Sequence, residues 1–283
     1  MKREEINIRD PYILLHEGMY YMCGTRAVTC WGPADGFDGY VSDDLENWGG
    51  PFELFHRPEG FPADRNYWAP EFHIYQNQFY IFATFGITER NHKGTMILRA
   101  DKPLGPYHLH SDGYITPEDW NCLDGTLYVS ASGDPYMVFS HEWVDIGDGE
   151  ICAVRLSKDL THPTSEPVTL FSASQGKPWV RSLTNRQWDG PIYVTDGPFL
   201  YRKSPRELLL LWASFGEHGY VEAVARSDNG EIDGHWTIDE KPLFADNGGH
   251  GMIFQSKEGQ TYLVPHQPNK TLEEHPVLIP LSL

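Results

Sequence analysis

Basic residues are scarce in this chain. Its 283 residues carry 22 Lys and Arg against 40 Asp and Glu, a formal net charge of −18. Phosphate backbones are gripped by clustered Lys and Arg, so the composition argues against a nucleic-acid partner, and against anionic lipid for the same reason. A polyanionic substrate would be repelled, whereas a neutral, hydroxyl-rich one would not. On its own, the acidic surplus serves solubility. No apolar run approaches the roughly 20 residues of a membrane-spanning helix. Cysteine is sparse too: Cys23, Cys30, Cys122 and Cys152 form no C-x-x-C pair, which disfavours a zinc ribbon, and four are too few for a disulfide scaffold. Cys23 and Cys152 lie in apolar, strand-like runs and read as buried free thiols. There is no G-x-S-x-G, H-E-x-x-H or G-x-x-x-x-G-K-[ST], so serine-hydrolase, zincin and P-loop chemistry have no support. The opening MKREEINIRD places charge where a signal peptide needs apolar residues. The expectation is a cytoplasmic protein, or an exported one whose signal has been removed.

Helical periodicity is also nearly absent. What is present is short runs of Tyr, Phe, Val, Ile and Leu between Gly, Pro, Asn and Asp clusters, the pattern of strand and turn. Even Glu207-Leu208-Leu209-Leu210-Leu211-Trp212 is too short for a helix and reads as a buried strand. Five segments share one grammar: RDPYILLHEGMYYMCG from Arg9, APEFHIYQNQFYIFATF from Ala69, LDGTLYVSASGDPYMVFS from Leu123, TDGPFLYRKSPRELLLLWAS from Thr195 and GHGMIFQSKEGQTYLVPH from Gly249. Each has an ionisable residue near its start, then an apolar strand, a polar turn and a second apolar strand. Three of them run on to an aromatic signature, DLENW at Asp44, PLGPYHL at Pro103 and EIDGHWTI at Glu231, which reads as an outer strand packed by Trp48, Tyr107 or Trp236. The openings recur about every sixty residues, above the roughly 40–50 of most propeller repeats. Five such units predict an all-β, five-bladed β-propeller over residues 1–283, with nothing left for a second domain.

The first strand of a propeller blade lines the central channel. Equivalent openings would therefore gather Asp10, Glu71, Asp124, Asp196 and His250 at one channel mouth. Carboxyl groups crowded into a partly desolvated funnel must separate their pKa values. Separated carboxyl pKa values are what acid-plus-base attack on a glycosidic bond requires.

Read together, Arg9-Asp10-Pro11-Tyr12-Ile13, Trp68-Ala69-Pro70-Glu71-Phe72, Leu123-Asp124-Gly125-Thr126 and Gly248-Gly249-His250-Gly251 resemble glycoside hydrolase family 43. These are five-bladed propeller enzymes acting on arabinose- and xylose-containing glycans, and the motifs follow one another in order over nearly the whole chain. The resemblance implies an inverting hydrolase that removes terminal pentosyl groups, of the α-L-arabinofuranosidase or β-xylosidase type, from a neutral oligo- or polysaccharide and without a required cofactor. It makes Asp10 the general base and Asp124 the carboxyl that tunes and orients the acid. In the family the acid is usually the Glu of a Glu-Gly-Pro motif, whereas Thr195-Asp196-Gly197-Pro198 carries Asp. That is one methylene shorter, about 1.5 Å by single-bond lengths. Asp196 is the expected acid, and Glu142 in Ser140-His141-Glu142-Trp143 its rival. Base and acid of an inverting pair should stand roughly 6.5–9.5 Å apart to admit water. The histidine equivalent to His250 often lies beside a bound cation in the family, so a calcium near His250 is a further expectation, as is a hydrogen bond from it to Asp10. Trp68 and Phe72, flanking Glu71, are candidate sugar platforms, with Trp31, Trp120 and Trp143 on loops, and Glu71, Glu142 and His250 are candidate sugar contacts.

Other readings are a non-catalytic glycan-binding propeller with a decayed acid, or a propeller glycosidase of other specificity. A fructosidase-like Trp-Met-Asn-Asp-Pro start is missing, and few basic residues lie near the openings to make a phosphorylase's phosphate site.

Overall fold

The protein was analysed as a computed structural model that describes residues 1–185 and 188–282. Five four-stranded antiparallel sheets follow one another along the chain. The first blade comprises Ile8–His16, Met19–Arg26, Gly36–Ser42 and Gly49–His56. The second is Arg65–Tyr75, Gln78–Ile87, His92–Ala100 and His108–Leu109. Cys122–Val129, Pro135–His141, Glu150–Arg155 and Val168–Ser172 make the third. The fourth is Asp196–Ser204, Glu207–Gly216, Gly219–Ser227 and Trp236–Ile238. In the fifth, Gly249–Gln255 pairs with Thr261–Gln267, and two short strands, His275–Pro276 and Ile279–Leu281, take opposite ends of the latter. The first strands of the five sheets touch in cyclic order, the fifth meeting the first, so the ring is closed. This is the five-bladed propeller the repeats predict. No helix among the described residues is long and apolar enough to cross a membrane.

Local sequence explains the elements. Second strands are sandwiched between neighbouring blades, which is why they read as continuous apolar runs rather than alternating ones. Leu208, Leu209, Leu210, Leu211 and Trp212 are all buried in this way. Glu17-Gly18 and Gln76-Asn77 both take positive φ at the two central positions of tight hairpin turns, the mirror-image geometry that suits twisted strands. Aromatic rings fill the seam between the first two blades, with Tyr67 and Phe85 at 4.8 Å and Phe37 and Phe85 at 5.6 Å. Trp48, Tyr107 and Trp236, from the three outer signatures, are buried. All four cysteines are buried and free.

Each innermost strand breaks register at the same place: between Arg9 and Tyr12, Trp68 and Glu71, Leu123 and Thr126, Asp196 and Phe199, and Gly249 and Met252. Inside every break one residue has a left-handed backbone, with φ of 52° at Asp10, 44° at Ala69, 59° at Asp124, 51° at Gly197 and 52° at His250. The next residue is always Pro or Gly. These are β-bulges, which bend a strand and re-aim a side chain. They correct the expected equivalence of the openings. Asp10, Asp124 and His250 do share a position, but Asp196 precedes the bulge by one residue and Glu71 follows it by two.

A bulge leaves a backbone N–H without its ladder partner. Here a side chain of the preceding blade accepts it, always in the same sense around the ring. Ala69 N–H donates to Thr25 Oγ1 at 2.7 Å, Asp124 N–H to Thr84 Oγ1 at 2.8 Å, and Asp10 N–H to His266 Nδ1 at 3.2 Å. Thr25, Thr84 and His266 hold the same register, opposite the residue before their own blade's bulge. The fourth blade has Ala213 there, and Glu222 reaches from the next strand to accept Gly251 N–H at 2.7 Å. Gly197 N–H goes to Asp124 Oδ2 at 3.0 Å. The joint between fifth and first blades adds an ion pair between half-buried Arg9 and buried Glu274, Nη1 to Oε1 at 2.8 Å.

Replacing Thr84 by Val keeps the shape and strands the buried Asp124 N–H. A loss of about 1–3 kcal/mol is expected, read as a lower urea midpoint at unchanged slope.

Candidate active site

Where the inner strands begin, a cavity of about 440 Å³ opens over the channel axis. Asp10, Asp124, Asp196 and His250 line it, so four of the five ionisable openings meet there. Trp31, Trp68, Trp143 and Phe215 supply its apolar walls, and Arg9, Glu142, Tyr220 and Asn269 its polar ones.

The three aspartates have distinct surroundings. Asp10 Oδ2 accepts the Thr25 hydroxyl at 2.6 Å, and Oδ1 lies 3.2 Å from His250 Nδ1 and 3.4 Å from His266 Nδ1. Burial by itself would raise its pKa, but His250, His266 and Arg9 outweigh burial and hold the carboxyl well below the ordinary range. Asp124 Oδ2 accepts the Gly197 N–H and faces His250 Nδ1 at 3.7 Å. Burial first, then Asp196 and Asp10, push its pKa well up. Asp196 Oδ2 accepts the Tyr220 hydroxyl at 2.8 Å. Burial, with Glu142 and Asp10, pushes Asp196 up to about 7 against the lowering pull of Tyr220. His250 is moved the other way: burial lowers it to about 4 although Asp10 works against that. At neutral pH the cavity therefore offers an ionised Asp10, a neutral imidazole and two carboxyl groups able to hold protons.

Glu142 also faces the cavity, at the head of the short helical turn Trp143–Ile146, and is ion-paired to Lys93 of the second blade. Burial raises its pKa above the ordinary value although Lys93 draws against it. Trp68 lines the cavity edge-on to Trp31, the rings 5.5 Å apart, and its indole N–H is fixed on Cys30 O at 2.7 Å.

Two expected sugar contacts lie elsewhere. Phe72 is buried in the core against Tyr107, with ring centroids 6.2 Å apart, because the bulge turns it into the blade seam. Glu71 lies past the bulge and off the cavity wall, its Oε2 3.1 Å from His73 Nε2. Of the loop tryptophans, Trp31 and Trp143 reach the cavity, while Trp120 stacks on His141 at 4.1 Å. Asn269 is on the wall, and His266 lies beneath Asp10. Arg226 is an outer residue paired to Asp239 and Glu207.

The expected calcium finds a poor cradle. Calcium takes six to eight oxygen ligands, yet Nδ1 of His250 already faces Asp10, and Asp124 Oδ2 is spent on Gly197 N–H. Among the described residues no cluster of three or more His, Cys, Asp or Glu is arranged to hold a metal.

Arg9, Lys93 and Tyr220 were not singled out for the site from sequence. Arg9 adjoins the Asp10 motif, so its neighbour was the available signal; its guanidinium sits 5.4 Å from the Trp31 ring. Lys93 and Tyr220 lie in ordinary strands with no motif to mark them.

Gly197 is required by its neighbour as well as by its φ of 51°, since a Cβ there would lie 2.5 Å from His250 Cδ2. Gly197→Ala is expected to displace His250 and the Asp196 backbone together, lowering kcat at least about 100-fold, the scale of an ångström-sized misplacement. Steady-state kinetics on folded protein checks this.

A closed five-bladed ring with one carboxyl group of lowered pKa and two of raised pKa at its axis offers the acid and base that cleavage of a glycosidic bond requires. The chain belongs to the glycosyl hydrolases family 43, whose family model matches residues 5–282. Among solved structures it resembles an endo-arabinase of Bacteroides thetaiotaomicron, with 35% identity, a TM-score of 0.91, and coverage of 100% of this chain and 97% of that one. An α-L-arabinofuranosidase of Lactobacillus brevis shares the fold, with a TM-score of 0.76 at 18% identity over 100% of this chain and 94% of that one. A curated relative, the alpha-L-arabinofuranosidase 43 of Humicola insolens, is 24% identical over 269 residues, 88% of this chain. The chain spans about half of that relative, 52% of its length.

Proposed function

We propose that the protein hydrolyses glycosidic bonds of a neutral, pentose-containing plant glycan with inversion, using Asp10 as general base and Asp196 as general acid. The observation that carries this reading is the opposite displacement of two carboxyl groups in one cavity, Asp10 held low and Asp196 raised to about 7. In the step, Asp10 takes a proton from water as the water oxygen bonds to the anomeric carbon. The bond from that carbon to the leaving oxygen breaks, and its electron pair accepts the Asp196 proton. Asp10 ends protonated and Asp196 ionised, and solvent exchange restores both. Asp124, which accepts the backbone N–H of Gly197 next to Asp196, holds the acid's segment in place.

Asp196 is preferred to Glu142 because it sits beside the bulge that Asp124 holds, with its pKa raised to about 7, whereas the Glu142 carboxyl is engaged in an ion pair with Lys93. The aromatic walls suit the apolar face of a sugar ring. The named relatives favour arabinose over xylose. Removal of terminal groups is the first reading of the cleavage mode. Internal cleavage is a second, favoured by the likeness to an endo-arabinase along the whole chain. A calcium beside His250 would have to be held mainly through water, and no step depends on it.

Asp10→Asn and Asp196→Asn should each lower kcat on arabino-oligosaccharides by about 10²–10⁴-fold, with product size on linear arabinan separating terminal from internal cleavage. Wild-type protein that binds pentose sugars yet turns over no pentoside would sink the enzyme reading. Because the acid must be protonated in free enzyme, kcat/KM should be full below about pH 7 and fall as pH rises through the Asp196 value. In Asp196→Asn that basic limb should vanish from the residual activity.

A further inference from the structure

A short acid has to be aimed. Asp196 swings about two side-chain torsions, and the two oxygens of a neutral carboxyl are not equivalent: the carbonyl oxygen accepts, the other carries the proton. Asp196 Oδ2 has a defined partner in the Tyr220 hydroxyl at 2.8 Å. Tyr220 stands on the third strand of the same blade, fully buried, with little freedom to move. Its ring stacks on His266 at 5.7 Å with an interplanar angle of 21° and meets Phe215 at 5.3 Å. Its backbone N–H is tied to Asn247 Oδ1 at 3.3 Å. Burial pushes the phenol far above its ordinary pKa, so its oxygen keeps its proton and acts as a donor.

We propose that Tyr220 is the positioning residue of the acid: by donating to Oδ2 it sets the rotation of the Asp196 carboxyl and leaves Oδ1 to carry the proton into the cavity. The inference rests on Asp196 being the acid. Tyr220 keeps its own proton throughout. As the Asp196 proton leaves, negative charge grows on the carboxyl that Tyr220 already holds, so the bond is stronger in the transition state than before it. The other charged groups facing Asp196 are Glu142, Asp10 and Asp124, all acidic, and Arg9. Among the described residues none of these donates a hydrogen bond to its carboxyl, whereas Tyr220 does. His266, stacked on Tyr220, is the residue that accepts the Asp10 N–H, so one aromatic pair sets both acid and base.

The test is Tyr220→Phe in the full chain, which keeps the ring and removes the donor. On an arabino-oligosaccharide, whose leaving alcohol needs a proton, kcat should fall about 10–100-fold with KM within about twofold. On a nitrophenyl arabinofuranoside, whose leaving phenolate needs none, the loss should stay under about threefold. In an Asp196→Asn background the Tyr220→Phe change should add no further loss on the oligosaccharide. Equal losses on both substrates, multiplicative losses in the double variant, or no loss at all would each overturn the inference and show packing alone. If Asp196→Asn by itself left oligosaccharide turnover intact, the acid assignment would fail. Impaired Asp196→Asn with unimpaired Tyr220→Phe removes only the role of Tyr220.

Discussion

The structure depends on how bulged backbone is satisfied across blade boundaries. Each inner strand carries a residue in a conformation that costs on the order of 1–3 kcal/mol for a side-chain-bearing residue, and a backbone N–H that would cost about as much if buried unpaired. Neither is settled inside its own blade. Thr25 serves Ala69, Thr84 serves Asp124, Asp124 serves Gly197, Glu222 serves Gly251 and His266 serves Asp10. No blade is complete without the one before it. The apolar seams hold the blades together, but this polar circuit determines where each inner strand bends and so where its side chain points.

The chemistry follows from that placement. Bulges hold Asp10, Asp124 and His250 inward at one level, and the Gly197 bulge brings Asp196 beside them. Once there, four carboxyl groups share a space with few cations, and burial raises the pKa of Asp124, Asp196 and Glu142. Asp10 escapes because Arg9, His250 and His266 surround it. Arg9 in turn is fixed by Glu274 from the last blade, so the pair that closes the ring also helps ionise Asp10, the proposed base. Ring closure and the proposed catalysis draw on the same side chains.

Much of this was legible in residue order. Strand and turn chemistry gave the five blades, and Asp10, Asp124, Asp196 and His250 were readable as one cluster because they recur at repeat openings. The register was not legible to within a residue. A bulge inserts one position without changing composition, so Glu71 and Asp196 looked equivalent to Asp10 although one lies past the kink and the other before it. Phe72 failed as a platform for the same reason, since one extra residue exchanges the faces of a strand. Tyr220, Lys93 and His266 act across strand or blade boundaries, and such partnerships have no local signature.

The bulge position has a further meaning for how such a ring changes over generations. Asp, Ala, Asp, Gly and His occupy it in turn, yet φ stays between 44° and 59°. The bend is held in each case from the neighbouring blade, so backbone shape and side-chain identity are separable at this position. A substitution at one station alters what the channel can do while the hinge beneath it is maintained by a residue of the neighbouring blade. Ala69 is then a silent station in a ring of five, already bent toward the axis and carrying no functional group.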